Sequence, residues 1–205
     1  KDWQVLTLSL LGIKKKQIYE FNQTFFTKIK KLYICRLPYI HSSEVEFDPE
    51  GRSWVNKTIR SSLSKNDYIK KFLKNNELSK VAFSRKYCSR RRLLNEDKYL
   101  NLLCSKGYKI IYPEKISELE KIAHSYYAKA ILGLPSGSAI ANLIFSSKPN
   151  LIEIQDKKSL IPVWFILSQE LKLNYRLHFA NFTDDKSDFR ENNLVIDPKE
   201  FPNDL

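Results

Sequence analysis

Short apolar runs alternate along this chain with stretches of helical periodicity, and no other feature of the sequence restricts the fold as strongly. Runs rich in β-branched and aromatic residues occur at Leu32 to Ile40, Val81 to Ser84, Tyr108 to Tyr112, Ala130 to Gly133, Leu151 to Ile154 and Tyr175 to Phe179. Each has the length of a strand. Between the later runs, Ile116, Leu119, Ile122, Ala123 and Tyr126 fall on one helical face, as do Val163, Ile166, Leu167 and Leu171. A parallel neighbour cannot be reached by a hairpin and needs a long connection, so the alternation predicts parallel strands joined by crossover helices. The expected fold is α/β, a Rossmann-like parallel sheet with helices on both faces. Local signals agree: Ser117 with Glu120 forms a capping box, and Pro162 sits near a helix start, where its missing donor does no harm.

Two regions break the rhythm. From Asp48 to Asn76, Pro49, Gly51 and Ser53 precede basic helical sequence through Lys70, Lys71 and Lys74, which reads as a domain junction. From about Thr183 the chain is polar, with seven acids against three bases and with Pro198 and Pro202, and reads as a loosely attached tail. The rest is well supplied for a core, at 42% hydrophobic residues over 205 positions, so general disorder is excluded. The chain starts at Lys1 and has no methionine, which suggests a piece of a longer protein.

Cys35, Cys88 and Cys104 lack ligand spacing, which points away from a disulfide framework or a zinc site and towards a reducing compartment. His41, His124 and His178 are scattered and read as structural or exposed. No apolar stretch reaches the ~18 residues of a membrane-spanning helix. The formal charge of +12 suits nucleic acid, an anionic membrane face or phosphorylated small molecules, and also fits plain solvated lysines.

Three constellations carry possible chemistry. From Ala130 to Asn142 the sequence passes from a buried strand through Pro135, Ser136, Gly137, Ser138 and Ala139 into a helix ending near Phe145. At a helix start the first amides lack partners and the macrodipole is positive, so small residues there admit a diphosphate. The alternative is a Ser-capped helix packed tightly on the sheet. The second runs Ser84, Arg85, Lys86, Tyr87, Cys88, Ser89, Arg90, Arg91, Arg92, then Leu93, Leu94, Asn95 and Glu96, directly after a strand. Guanidinium forks suit phosphate, although a solvated basic turn reads the same way. The third is Glu153, an acid within an apolar strand, which is costly unless paired. Such an acid can hold ribose hydroxyls, or can form a salt bridge to a neighbouring base.

Taken in order, these pieces resemble glycosyltransferase family 61, nucleotide-sugar-dependent transferases that include many bacterial capsule and surface-polysaccharide enzymes. The resemblance is strongest over Phe83 to Asp97, which looks like the family's Ser-Arg-Arg followed by Arg-Arg and Asn-Glu. It continues through Gly107 to Glu114, Leu119 to Ala130, the small-residue loop with Asn142, the strand Ile152-Glu153-Ile154, and Leu167 to Tyr175. Leu8 to Ile13 looks like the segment ahead of the family's main block.

The resemblance implies the C-terminal half of a GT-B enzyme. Residues 1–48 would end an N-terminal Rossmann-like domain, and residues 49–205 would form the domain that binds the nucleotide-sugar. It further implies inverting, metal-independent transfer to a glycan acceptor in capsular or other polysaccharide biosynthesis. No cofactor, metal or nucleic acid would be needed, and the setting would be cytoplasmic, compatible with peripheral contact at the inner face of the membrane.

Arg85 and Arg91 would stabilise the leaving diphosphate, in company with Arg90 and Arg92. Asn95 and Glu96 would lie at the donor. Ser136, Gly137, Ser138 and Ala139 would form the cradle, with Asn142 fixing the loop or touching the donor. Glu153 would hold a ribose hydroxyl, and the general base would come from outside this chain. Two departures stand out: Ser136-Gly137-Ser138-Ala139 replaces the family's frequent His-Gly-Ala-Gly, and Lys86 replaces the second Arg of the first pair. A basic nucleic-acid module stays open beside this reading, on the charge, Arg90 to Arg92 and 13% aromatic residues. So does a noncatalytic relative of the transferases.

Overall fold

The computed structural model describes residues 2–18, 30–31, 49–75, 80–134, 141–147, 149–158, 160–183, 192–197 and 199–201. Its centre is a six-stranded sheet of β1 (Lys80–Phe83), β2 (Tyr108–Ile111), β3 (Ala130–Gly133), β4 (Asn150–Asp156), β5 (Asn174–Phe182) and β6 (Leu194–Val195). The order across the sheet is β2-β1-β3-β4-β5-β6. The first five strands are parallel, as the alternation of strand and helix requires, and β6 adds an antiparallel edge through Asn181↔Val195 and Phe182↔Leu194. The predicted strand at Leu32 to Ile40 lies outside the described residues.

Alternation along each strand sorts the core onto two faces. Val81, Phe83, Ile131 and Leu151 point to one side, against Leu167 of α6 (Val163–Glu170) and Leu143 of a 3₁₀ turn at Ala141–Phe145. Ala82, Leu132, Ile152 and Ile154 point to the other, against Tyr99 and Leu103 of α4 (Asp97–Ser105). Burial of such side chains contributes about 1.5–3 kcal/mol each, which is why the run of apolar residues, and not simple alternation, marks these strands.

The third cluster is helical. α1 (Asp2–Leu10), α2 (Pro49–Lys65) and α3 (Asp67–Asn75) gather Leu10, Ile59, Leu63 and Ile69 against Ile122, Ala123 and Tyr126 of α5 (Glu118–Tyr127). The Ser62 hydroxyl donates to the Leu10 carbonyl at 2.7 Å and ties α1 to α2. His124 is buried here, edge-on to Phe72 at 4.9 Å; burial pushes its imidazole down to about 4, so it stays neutral. α5 starts as its capping box predicts, the Ser117 hydroxyl accepting from the Glu120 amide at 3.2 Å. No helix among the described residues is long and apolar enough to cross a membrane.

In the stretch read as a domain junction, Pro49, Gly51 and Ser53 occupy the first turns of the 17-residue α2, and α3 follows it with no strand between them. Proline at the first position of a helix loses only a donor that has no partner there anyway. The segment after Thr183 is not loosely attached where it is described. Leu194, Ile196 and Phe201 are 3%, 0% and 2% exposed, and the Phe201 ring stacks on Tyr99 at 4.1 Å. These few apolar residues dock the segment over α4 although its composition is acidic.

Candidate functional site

The sheet order places a topological switch between β1 and β3. The chain leaves β1 for β2 on one side, and β3 then pairs on the other, the strand order beyond whose carboxyl ends open α/β sheets bind their ligands. Phe83 and Gly133, the last residues of these strands, are register partners, and the Leu134 amide donates to the Phe83 carbonyl at 3.0 Å. The arginine-rich loop therefore starts beside the segment that runs towards Ser136. Ser136, Gly137, Ser138 and Ala139 themselves lie outside the described residues.

The arginine loop is held at both ends. At its start the Ser84 hydroxyl accepts from the Lys86 amide at 3.0 Å, and the Cys88 amide donates to the Arg85 carbonyl at 2.9 Å. Cys88 Sγ donates to Glu114 at 2.6 Å, and burial first, then this bond, pushes the thiol up to about 11, which suppresses the reactive thiolate. At the loop's end the Arg92 amide donates to Asn193 Oδ1 at 3.0 Å, while the Arg92 carbonyl accepts from the Leu194 amide at 2.8 Å. Between these anchors Arg91 has φ 54°, a left-handed conformation that costs a non-glycine residue about 1 kcal/mol or more.

Inside this frame Arg85 Nη2 donates to the Arg90 carbonyl at 3.1 Å. The Nε atoms of Arg85 and Arg92 are buried with no hydrogen-bond partner among the described residues. A buried N–H without an acceptor is costly, and a charged one is more so, unless an anion completes it.

Glu153 meets the loop from β4. It is 4% exposed and lies level with Gly133. Burial raises its carboxyl to about 7 against the opposing pull of hydrogen bonds from Tyr175 and Gln155 and of the Arg91 charge. Tyr175 Oη donates to its Oε2 at 2.8 Å. The neighbouring carboxylate in turn makes the phenol harder to ionise, after burial as the main cause. Arg91 and Glu153, 62 positions apart in sequence, are thus within electrostatic reach of one another.

A family model, Glycosyltransferase 61, matches residues 8–152, well over half of the chain. The chain belongs to glycosyltransferase family 61. No curated protein matches it. The family match takes in the whole arginine loop and ends one residue before Glu153.

Within this family 61 chain the remaining expected site residues divide. Arg90 is exposed at the loop's tip, and Arg91 and Arg92 are half-buried. Asn95 is engaged with the chain's own backbone, its amide nitrogen donating to the Ile196 carbonyl at 2.8 Å and its Oδ1 accepting from the Ile196 amide at 3.3 Å. That pairing ties the C-terminal segment to the loop. Glu96 is 3% exposed, and neither carboxylate oxygen has a hydrogen bond of good geometry. Burial raises its carboxyl, while the nearby Ser84 hydroxyl opposes the rise.

Asn142 sits apart from the arginines. It lines a largely apolar cavity of about 430 Å³ with Trp3, Leu6, Pro113 and Phe145, and no arginine lines that cavity. Lys86, in place of the family's arginine, pairs with Asp97 at 2.6 Å on the surface.

Sequence reasoning missed Tyr175, Gln155 and Asn193. Tyr175 had a usable signal, because it lies on the adjacent predicted strand and on the same face as Glu153, two residues before Glu153's register partner Leu177. Asn193 had none, since only the folded C-terminal segment brings it to Arg92.

Proposed function

We propose that this chain supplies the donor-binding part of a GT-B glycosyltransferase, which moves a sugar from a nucleoside diphosphate to a glycan acceptor in polysaccharide biosynthesis, with inversion and without a metal. The observation that carries this reading is the pair of buried, unpartnered Nε atoms of Arg85 and Arg92 in a loop beginning at the switch between β1 and β3. As the glycosidic bond breaks, negative charge grows on the departing diphosphate. Guanidinium groups already fixed in place stabilise that charge without reorganising, and Arg85 and Arg91 are the groups assigned this task. The small-residue stretch Ser136 to Ala139, which follows β3 in the sequence, is assigned the role of diphosphate cradle.

Glu153 is assigned the ribose. A carboxylate accepts a hydroxyl best when ionised, and approach of the Arg91 charge favours ionisation. The acceptor's base comes from beyond these residues. Work at the cytoplasmic face of a membrane accords with this chemistry, since nucleotide-sugars are made inside the cell.

Calorimetry of the chain against a panel of nucleoside diphosphates tests the reading. One of them binds with base selectivity, and Arg85→Ala weakens it by about 1.5–3 kcal/mol, roughly 10- to 150-fold, the worth of one charge-assisted contact. Glu153→Ala reduces discrimination against the 2′-deoxy form. A folded sample that binds none of the panel refutes the reading.

A further inference from the structure

At the amino edge of the sheet, the opposite end from the arginine loop, a second groove has a charge pattern that sugar transfer does not use. Its walls include Lys57 and Arg60 of α2, Tyr126 at the end of α5, Lys129 just before β3, and Ser147 and Asn150 ahead of and at the start of β4. Among the described residues that line it there are three cations and no acid.

Arg60 is the centre of the groove. Its Cζ lies 4.7 Å over the Tyr126 ring, which fixes the plane of the guanidinium, and its Nη1 is buried with no hydrogen-bond partner among the described residues. Arg52, earlier on the same helix, is paired with Glu170 at 2.5 Å. The Arg52 charge is thus met within the fold by a carboxylate, and no acid among the described residues lines the groove at Arg60. The wall itself is firm, because Asn56 Nδ2 donates to the Ile144 carbonyl at 2.6 Å and the Ser146 carbonyl at 3.3 Å, docking α2 on the turn that precedes Ser147.

We propose that this groove is a second anion site, separate from the donor crevice, that takes the phosphate group of a phosphate ester. A planar guanidinium held by an aromatic ring, flanked by two mobile ammonium groups and by hydroxyl and amide donors, matches a compact dianion with several acceptor oxygens. A single carboxylate would use the fork and leave the two lysines idle. Its place at the amino edge allows a phosphate-bearing molecule to be held while the carboxyl edge is occupied by the donor.

Amide chemical shifts of the isotope-labelled chain, followed through a titration with inorganic phosphate, test the site. Saturable shifts are expected around Tyr127 to Ala130 and Ser146 to Ser147. The double variant Lys57→Glu/Lys129→Glu, at two exposed positions, weakens this binding at least about tenfold, the loss of charge-assisted contacts. Arg85→Ala leaves it in place. Absence of saturable shifts, shifts unchanged in the double variant, or shifts abolished by Arg85→Ala would each overturn the proposal.

Sedimentation with phosphatidylcholine vesicles, with and without phosphatidic acid, separates the sources of the phosphate. Recruitment to the acidic vesicles that the double variant loses supports a lipid headgroup. Saturable phosphate binding without recruitment supports a soluble phosphate ester.

Discussion

Glu170 and Glu153 are both buried acids, 6% and 4% exposed, and their surroundings treat them in opposite ways. Glu170, the last residue of α6, lies against a full positive charge, Arg52 Nη1 at 2.5 Å. Glu153, in the middle of β4, has a neutral phenol at 2.8 Å, and Arg91, whose charge acts on it, belongs to the switch-point loop. The first arrangement fastens α2 to α6 with an ion pair. The second leaves a carboxyl whose ionisation is undecided near neutrality and depends on what the loop does. A buried acid paired directly with a counter-ion is a fastener, and one paired with a neutral phenol is a candidate ligand.

Removing the fixed counter-ion has the largest expected effect. Arg52→Met leaves the Glu170 charge buried and uncompensated, which costs about 3–5 kcal/mol. Chemical denaturation measures it, and a loss well under about 1 kcal/mol would erase the contrast drawn here.

Glu153 gives the next effect, with the sign fixed by its raised carboxyl. The folded protein keeps this proton where the unfolded chain has lost it, so Glu153 contributes stability that is fully present below about pH 4.5 and is lost as pH rises through about 7. Glu153→Gln removes that fall, worth up to about 3 kcal/mol, and flattens the stability profile over the same window. An equally steep profile in the variant would assign the fall to other groups.

Tyr175→Phe sharpens the comparison with the smallest change. The phenol favours the charged carboxylate, so its loss moves the Glu153 midpoint further above 7 by several tenths of a unit, about 1 kcal/mol at most. Carbon-13 shifts of the Glu153 carboxyl report the midpoint directly.

The difference between these regions also shows what the sequence could disclose. Strands β1, β3 and β4 were legible because residues buried on both faces leave continuous apolar runs such as Ala130 to Gly133. Pro49 and Gly51 do not by themselves place a boundary, because both residues are tolerated in a helix's first turn. The tail misled because acids outnumber the three or four apolar residues that dock it, and spacing such as Leu194 and Ile196 is too short to stand out.

At the site, Arg85 and Glu153 were visible as misplaced charges, an arginine run after a strand and an acid within one. Their partners were not, because Tyr175 reaches Glu153 through strand register and Asn193 reaches Arg92 through a contact 101 positions apart. Asn95, read as a donor ligand, has its amide spent on Ile196. Residue type marks a polar group's capacity, and only the fold decides where that capacity is used.

The backbone of Arg92 is clasped by residues almost at the other end of the numbering. The guanidinium loop is therefore one side of a buckle whose tongue is the segment carrying Asn193 to Phe201. A shortened version that stops after β5 would keep every arginine of that loop and lose the shape that aims them.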